Sequence, residues 1–224
     1  MLLEIPNVLG PRDLERVRGL LAGVRFVDGR ASAGAAARRV KHNEEAAADD
    51  PRLRTLNELV MGNLVRHPWY QHAVLPHRLA SPFYARYTPG MTYGDHVDDP
   101  IMGPAQGRYR TDVSTTIFLS GPDDYEGGEL VVQTAFGPRA IKLPAGHAVL
   151  YPSSSRHHVA PVTRGERVVA VTWAQSMVRD PARRELLWEL GRARDRLLAR
   201  APEAEETKQV DRSYVNLLRM WAEL

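Results

Sequence analysis

The chain has 224 residues, of which 43% are hydrophobic and 25% charged, an ordinary composition for one globular domain. Its 30 basic and 27 acidic residues leave a formal charge of only +3, and no basic stripe interleaved with aromatic residues indicates a nucleic-acid surface. The sequence has no cysteine, which excludes disulfides, zinc–thiolate sites and cysteine nucleophiles, so any metal has to be bound by His, Asp or Glu.

The sequence also lacks the features of membrane and secreted proteins. No apolar run approaches the roughly 20 residues that cross a bilayer. The first ten residues, MLLEIPNVLG, include the acidic Glu4 and contain neither the basic segment nor the cleavage site of a signal peptide. We therefore expect a cytoplasmic protein.

Two helices are predicted in the N-terminal part, with a short strand between them. Apolar residues recur at helical spacing from Arg12 to Ala22. The segment Phe26–Arg30 predicts a strand followed by a turn. A second helix is predicted to begin at Pro51, after a capping aspartate, and to end before Pro68.

From about residue 79 to residue 175 the pattern becomes that of a β-rich fold. The predicted strands are Phe83–Tyr87, Tyr93–Val97, Thr111–Leu119, Glu129–Gln133, Arg139–Leu143, Ala148–Tyr151 and Val168–Ala174. The segment Glu126–Glu129, with two central glycines, predicts a hairpin turn in which glycine adopts a positive φ. Short strands at regular spacing favour a sandwich or jelly roll. The predicted fold class is mainly β with flanking helices (α+β), built on a double-stranded β-helix (jelly-roll) core.

After Trp173 the periodicity is helical again. Asp180 and Pro181 are a suitable N-cap and first-turn pair for one helix, and a last helix is predicted to carry Val210 to Trp221. We interpret residues 1–178 as one domain and residues 179–224 as a C-terminal helical appendage. Its apolar face predicts packing on the β core or on another subunit, which favours a homo-oligomer.

A histidine and an aspartate stand two positions apart at the end of one predicted strand. Alternate strand residues point to the same face, so His96 and Asp98 can reach one ion while Val97 faces away. An imidazole and a carboxylate suit first-row divalent metals, and a second histidine would complete a facial triad with three open positions. The His-x-Asp pattern alone is a weak motif.

A later segment supplies further histidines and two cations. In the run Ser155–Val159 a polar turn is followed by His157 and His158, which begin the next strand. Beyond them stand Arg164 and Arg167, permanent cations that can bind a carboxylate through two hydrogen bonds. A metal triad beside a fixed arginine is what a dicarboxylic keto acid requires, because its keto-acid end chelates the metal and its far carboxylate meets the guanidinium.

These motifs, in this order, make the chain similar to the PKHD-type hydroxylases, a branch of the prolyl-4-hydroxylase-like Fe(II)/2-oxoglutarate-dependent dioxygenases. The matching stretches are Phe26–Arg30, Arg86–Tyr93, His96–Asp98, Thr111–Ser114, Glu126–Leu130, Tyr151–Ser155 and Pro161–Arg167. The resemblance assigns the iron ligands to His96, Asp98 and His157. It assigns the far carboxylate of 2-oxoglutarate to Arg167 and a hydrogen bond with the cosubstrate to Tyr87.

The same resemblance implies a reaction and its cofactors. Fe(II), 2-oxoglutarate and dioxygen, with ascorbate as an optional reductant, would couple oxidative decarboxylation of 2-oxoglutarate to hydroxylation of an unactivated C–H bond. The substrate would be a small molecule or a peptidyl group, and the family's association with bacterial iron uptake suggests a link to that process. The alternative function is a non-oxidative, cupin-like metal enzyme on the same jelly roll.

Two choices among the ligands stay open in the sequence. His158 competes with His157; the family pattern His-x-Val favours His157, and adjacent strand residues face opposite sides. Asp99 could replace Asp98 only if a bulge shifted the strand.

The sequence also leaves open which of the two arginines beyond the histidines binds the cosubstrate. Arg164 is interpreted as a turn cation and Arg167 as the cosubstrate anchor, although the two roles could be exchanged. Arg156 occupies a position where the family pattern has an apolar residue, so we expect an unusual charge near the mouth of the site.

Overall fold

The computed structural model describes residues 1–35 and 37–224. Its α-helices are α1 (Pro11–Leu21), α2 (Leu53–Arg66), α3 (Pro68–Val74), α4 (Pro181–Arg200) and α5 (Glu205–Trp221). Its β-strands are β1 (Leu3–Ile5), β2 (Phe26–Asp28), β3 (Lys41–His42), β4 (Glu44–Ala46), β5 (Pro76–Leu79), β6 (Phe83–Tyr87), β7 (Thr92–His96), β8 (Ile101–Met102), β9 (Tyr109–Arg110), β10 (Val113–Phe118), β11 (Tyr125–Gly127), β12 (Leu130–Thr134), β13 (Gly137–Ile141), β14 (Ala148–Pro152), β15 (His157–Val159), β16 (Val162–Gly165) and β17 (Arg167–Ser176). Across these ranges, no helix is both long enough and apolar enough to cross a bilayer.

Two larger sheets form the scaffold. The major sheet has the order β1-β14-β10-β17-β6-β4-β2, with β5 also paired to β17. The minor sheet has the order β13-β12-β15-β7-β3. An apolar cluster that includes Phe118 and Tyr151 from the major sheet and Leu130 and Val159 from the minor sheet fills the space between them. The predicted mainly-β fold with flanking helices is confirmed.

The outer face of the major sheet is covered by the N-terminal helices. Ile117 and Leu150 of this sheet join one apolar cluster with Leu56 and Leu64 of α2, and all four are almost completely buried. Because strand residues alternate between faces, the neighbours of these sheet residues point the other way, toward the minor sheet. The strands β10, β14 and β17 therefore carry one row of side chains for packing and another for the space between the sheets.

Proline separates α2 from a helix that the sequence pattern did not predict. Helix α2 ends at Arg66, as expected for a chain approaching Pro68. Pro68 then begins α3, since its fixed φ and missing N–H suit the first helical position. The ring nitrogen of His67 accepts a hydrogen bond from the N–H of Trp69 at 3.3 Å and so caps this helix.

The hairpin turn predicted at Glu126–Glu129 is wrong. Residues Tyr125–Gly127 form β11, which pairs with β16, and a bulge lies between Glu126 and Gly127. The positive φ predicted for the glycines does occur, at +69° for Gly127 and +67° for Gly128. The pattern indicated the backbone conformation correctly, but the strand pairs with a distant segment that local spacing does not identify.

The close packing at this bulge leads to a stability prediction. A Cβ atom at Gly127 would overlap the carbonyl oxygen of Pro161, whereas a Cβ at Gly90, where φ is +88°, would meet no atom within 4 Å. Gly90→Ala should therefore lower the free energy of unfolding by only about 1 kcal/mol, the cost of holding alanine in a left-handed conformation. Gly127→Ala should lower the free energy of unfolding by at least about 1 kcal/mol more than Gly90→Ala, because the backbone at Pro161 also has to move. Urea unfolding of both variants measures the difference, and equal losses would contradict it.

The C-terminal helices pack against each other and on the N-terminal helices. Asp180 caps α4 by accepting hydrogen bonds from the N–H groups of Ala182 and Arg183 at 2.7 and 3.1 Å. Trp188 of α4 meets Trp69 of α3 edge-to-face, with ring centroids 5.7 Å apart. The appendage thus packs on the same chain, while the domain boundary at residue 178 stays a prediction.

Candidate metal centre

The minor sheet brings the two predicted ligand segments side by side. Strands β7 and β15 are antiparallel neighbours, and their register pairs His96 with His157. Asp98 follows β7 two residues after His96 and therefore lies on the same side of the chain. Sheet pairing thus supplies the contact between segments that are far apart in the sequence.

The three side chains present their ligand atoms to one point. Asp98 Oδ1 lies 3.9 Å from His96 Nε2 and 3.8 Å from His157 Nε2. One ligand atom from each residue lies within 4.8 Å of the other two. The imidazole centroids of His96 and His157 are 4.2 Å apart. This spacing suits one ion with its three protein ligands on one side.

Hydrogen bonds orient both imidazoles. His96 Nδ1 lies 2.8 Å from the carbonyl oxygen of Gly94, and His157 Nδ1 lies 2.9 Å from that of Ser155. A carbonyl can only accept, so each Nδ1 carries the proton and donates it. Each Nε2 is left with a free lone pair, which is the tautomer that a metal ligand needs.

The aspartate is held in the same manner. Ser114 of β10 donates a hydrogen bond from its hydroxyl to Asp98 Oδ2 at 2.5 Å, and its oxygen lies 2.8 Å from the hydroxyl of Ser153. The other carboxylate oxygen, Oδ1, faces the two histidines. The major sheet therefore fixes the orientation of a ligand that the minor sheet carries.

Burial keeps the imidazole of His96 uncharged. Burial, followed by repulsion from the nearby His157, lowers the pKa of His96 from 6.5 to about 4. This imidazole is consequently neutral near pH 7 and available as a ligand. Two oriented imidazole nitrogens and one carboxylate form a donor set that fits a first-row divalent ion such as Fe(II).

The structure separates the ligand candidates that the sequence left open. His158 points to the opposite face of β15, where its Nδ1 lies 2.9 Å from Asp95 Oδ1. Asp99 is exposed at the mouth of the adjoining cavity. Only His96, Asp98 and His157, among these five candidates, form the cluster of potential ligands.

Arg167 is a buried cation without a counter-ion among the described residues. Its side chain is 1% exposed, and its Nε and Nη1 atoms have no hydrogen-bond partner in the described part of the chain. The guanidinium carbon lies 5.0 Å from the ring centroid of Tyr87 and 5.7 Å from that of Phe118. A buried charge that lacks a partner is costly, so this arrangement fits an anion that binds between the sheets.

The other two arginines lie on the surface. Arg164 is exposed and donates from Nε to Glu126 at 2.9 Å. Arg156 is also exposed, 3.9 Å from Asp95, and it is not among the described residues that line the cavity. The expectation that Arg156 brings an unusual charge to the mouth of the site is wrong, because this exposed side chain lies beside Asp95 and not among the residues of the cavity wall.

One cavity joins the triad to the arginine. It has a volume of about 860 Å³, and its lining includes the triad, Arg167 and Tyr87. Burial raises the pKa of Tyr87 to about 12, so its hydroxyl stays protonated and can donate. A cavity of this size exceeds the needs of a five-carbon keto acid and leaves room for a second molecule.

Three residues that complete this site, Lys41, Glu45 and Ser114, were not predicted from the sequence. Tyr93 stacks on His96 with centroids 3.7 Å apart, and the buried pair Lys41 and Glu45, 2.5 Å apart, lines the wall beside it. Lys41 and Glu45 come from two very short strands on different sheets, and no motif marks them. Ser114 lies within a stretch that the resemblance included, but its contact with Asp98 has no local signal.

Comparison with known proteins agrees with this geometry. The family model described as "2OG-Fe(II) oxygenase superfamily" matches residues 82–175. A second model, "PKHD-type hydroxylase C-terminal domain", matches residues 181–223. Together they include the jelly-roll strands from β6 to β17 and both C-terminal helices.

Individual proteins extend the comparison over the whole chain. A PKHD-type hydroxylase from Thioalkalivibrio sulfidiphilus is 58% identical over 224 residues, covering 100% of both chains. A prolyl hydroxylase from Trichoplax adhaerens, solved with a hypoxia inducible factor peptide fragment, has a TM-score of 0.56 at 20% identity and covers 83% of this chain and 86% of its own. HygX from Streptomyces hygroscopicus, solved with nickel and 2-oxoglutarate, has a TM-score of 0.53 at 14% identity and covers 79% and 84%. At these identities the two structures show a shared fold.

Proposed function

Because the chain belongs to the PKHD-type hydroxylase family of 2OG-Fe(II) oxygenases, we propose that it hydroxylates a C–H bond while oxidatively decarboxylating 2-oxoglutarate. The observation that carries this proposal is a buried Arg167, unpaired among the described residues, in the same cavity as a triad of potential metal ligands. A buried cation without a described counter-ion favours the binding of an anion, and the far carboxylate of 2-oxoglutarate is such an anion.

Each residue has a separate task in this proposal. His96, Asp98 and His157 would hold Fe(II) through Nε2, Oδ1 and Nε2, three atoms of residues that line the cavity. Arg167 binds the far carboxylate of 2-oxoglutarate, and Tyr87 donates a hydrogen bond to the same molecule. The register pair of Arg167 and Tyr87 on β17 and β6 supports this shared role.

The protein contributes orientation and exclusion of water, while Fe(II) and 2-oxoglutarate, when bound, supply the oxidising chemistry with dioxygen. Tyr87 and Phe118 of the apolar cluster between the sheets lie beside the guanidinium of Arg167, which is 1% exposed and so meets little water. The hydrogen bonds that the two imidazoles donate to Gly94 and Ser155, and the one that Asp98 accepts from Ser114, hold the ligand geometry before any ion arrives.

The test is whether succinate formation requires Fe(II), 2-oxoglutarate and dioxygen together. The full chain is expected to form succinate under air and to stop when any of the three is omitted, with ascorbate sustaining turnover as a reductant. The cupin-like alternative predicts a Zn(II)-supported reaction without dioxygen or keto acid. Turnover that persists anaerobically with Zn(II) would replace the proposal with that alternative.

Other features of the function stay predictions. The primary substrate is a small molecule or a peptidyl group, with a link to iron uptake. A cytoplasmic location and a homo-oligomeric state are likewise proposed from the sequence.

A further inference from the structure

The mouth of the cavity is apolar. Of the eleven large apolar side chains exposed in the described part of the chain, four line this one cavity: Leu79, Phe83, Val97 and Ile101, which are 36% to 53% exposed. Phe83 also meets Trp173 edge-to-face at 5.6 Å, which extends the apolar surface inward. Exposed apolar side chains gathered around a cavity indicate a binding surface, since scattered ones are ordinary.

The cavity offers no uncompensated charge to a second ligand. Bound Fe(II), 2-oxoglutarate, Asp98 and Arg167 would together be neutral. Of the remaining charged lining residues, Lys41 and Glu45 neutralise each other. Arg78 and Asp99, exposed at the mouth, have opposite signs. A charged group that entered would lose its hydration without meeting a counter-charge, which is unfavourable.

One wall of the cavity nevertheless carries both a donor and an acceptor. Lys41 Nζ donates to Glu45 Oε1 at 2.5 Å and to Ser32 Oγ at 2.8 Å, and an ammonium has a third proton to donate. The carboxylate of Glu45 has a second oxygen that can accept. Lys41 Nζ also lies 5.2 Å from the Tyr93 ring centroid, and that ring stacks on His96. Only the Tyr93 ring therefore stands between Lys41 and the metal-ligand triad.

We propose that the primary substrate carries an uncharged apolar group joined to an amide. The apolar group binds the mouth formed by Leu79, Phe83, Val97 and Ile101, and Lys41 and Glu45 bind the amide. A carbonyl accepts from Lys41 while an amide N–H donates to Glu45. This inference rests on the proposed function, because it concerns the second molecule in the same cavity.

The experiment measures probe binding to the full chain with Fe(II) and 2-oxoglutarate, by calorimetry without dioxygen, and then succinate formation under air. The probes are N-acetyl-leucinamide, the corresponding amides of aspartate and lysine, and 3-methylbutan-1-ol, which has the leucine side chain without an amide. N-acetyl-leucinamide is expected to bind at least about ten-fold more tightly than either charged amide and than the alcohol. An N-acetylated Gly-Gly-Leu-Gly-Gly amide that binds more tightly still indicates a peptide source, and weaker binding indicates a small molecule.

Variants assign the preference to the named residues. Val97→Ser and Ile101→Ser are expected to weaken N-acetyl-leucinamide binding by about ten-fold when combined, since two apolar contacts are removed. The matched control is Phe136→Ser, because Phe136 is fully exposed and does not line the cavity. Lys41→Met with Glu45→Gln, made together so that no buried charge is left unpaired, should abolish the advantage of the amide over the alcohol.

Two results would overturn the inference without touching the oxygenase proposal. One is binding of a charged amide as tight as that of N-acetyl-leucinamide, or no measurable binding of any probe, in a protein that forms succinate from 2-oxoglutarate. The other is an equal effect of the mouth variants and of Phe136→Ser. A protein that forms no succinate under any condition contradicts the proposed function itself.

Discussion

Replacing His96 with alanine is expected to weaken Fe(II) binding by more than about 100-fold. Loss of a partner that merely orients a ligand costs about 10–100-fold in metal affinity, and loss of the ligand itself should cost more. Equilibrium dialysis against Fe(II) without dioxygen measures this change directly and does not depend on turnover. His157→Ala is expected to behave in the same way, because the two imidazoles contribute equivalent Nε2 atoms.

The neighbouring histidine provides a matched control. His158 differs from His157 by one strand position and points to the other face, so His158→Ala should leave Fe(II) affinity unchanged. Ser114→Ala should give an intermediate loss of about 10–100-fold, since Asp98 keeps its charge but loses the donor that orients it. Normal iron binding by His96→Ala would remove the metal role of the triad.

Replacing Arg167 with methionine is expected to raise the KM for 2-oxoglutarate by at least about 30-fold. Truncating one partner of a buried, hydrogen-bonded charge pair costs about 2–5 kcal/mol, which corresponds to that range. The KM of Arg167→Lys should fall between those of the unmodified chain and of Arg167→Met. Lysine keeps the charge but lacks the planar guanidinium that matches a carboxylate. Initial rates of succinate formation at varied 2-oxoglutarate measure the effect.

A stability measurement separates this role from a structural one. Without 2-oxoglutarate, Arg167→Met should unfold at a temperature equal to or above that of the unmodified chain, because it removes a buried cation that has no described partner. At 100 times the Kd of the unmodified chain, 2-oxoglutarate should stabilise that chain by about 2.7 kcal/mol and the variant by less than about 1 kcal/mol. Arg164→Ala is the control, since Arg164 is exposed and paired with Glu126.

An Arg167→Met variant that is strongly destabilised without 2-oxoglutarate would contradict the assignment. It would mean that the guanidinium holds the sheets together through contacts of its own. The assignment would also be contradicted if 2-oxoglutarate stabilised Arg167→Met as much as it stabilises the unmodified chain.

Elements with a clear period and local stop signals were predictable from sequence. The strand Phe83–Tyr87 has the predicted bounds, and the helix predicted to end before Pro68 ends at Arg66. Both depend on side-chain alternation and on the geometry of proline, which act within a few residues. The short strands Lys41–His42 and Glu44–Ala46 were not predicted, because they form only as partners of strands from elsewhere in the chain.

Residue identities alone specify the chemistry available to this protein: no thiols, a His-x-Asp pair, a later histidine segment and the arginines that follow it. They also specify which strand positions share a face, since alternation is a local property of an extended backbone. Folding is needed to bury one arginine without a described counter-ion, to turn one histidine toward the aspartate, and to bring Lys41 and Glu45 together in the cavity wall. Those outcomes depend on sheet register and burial, which arise when segments that are distant in the chain pack together.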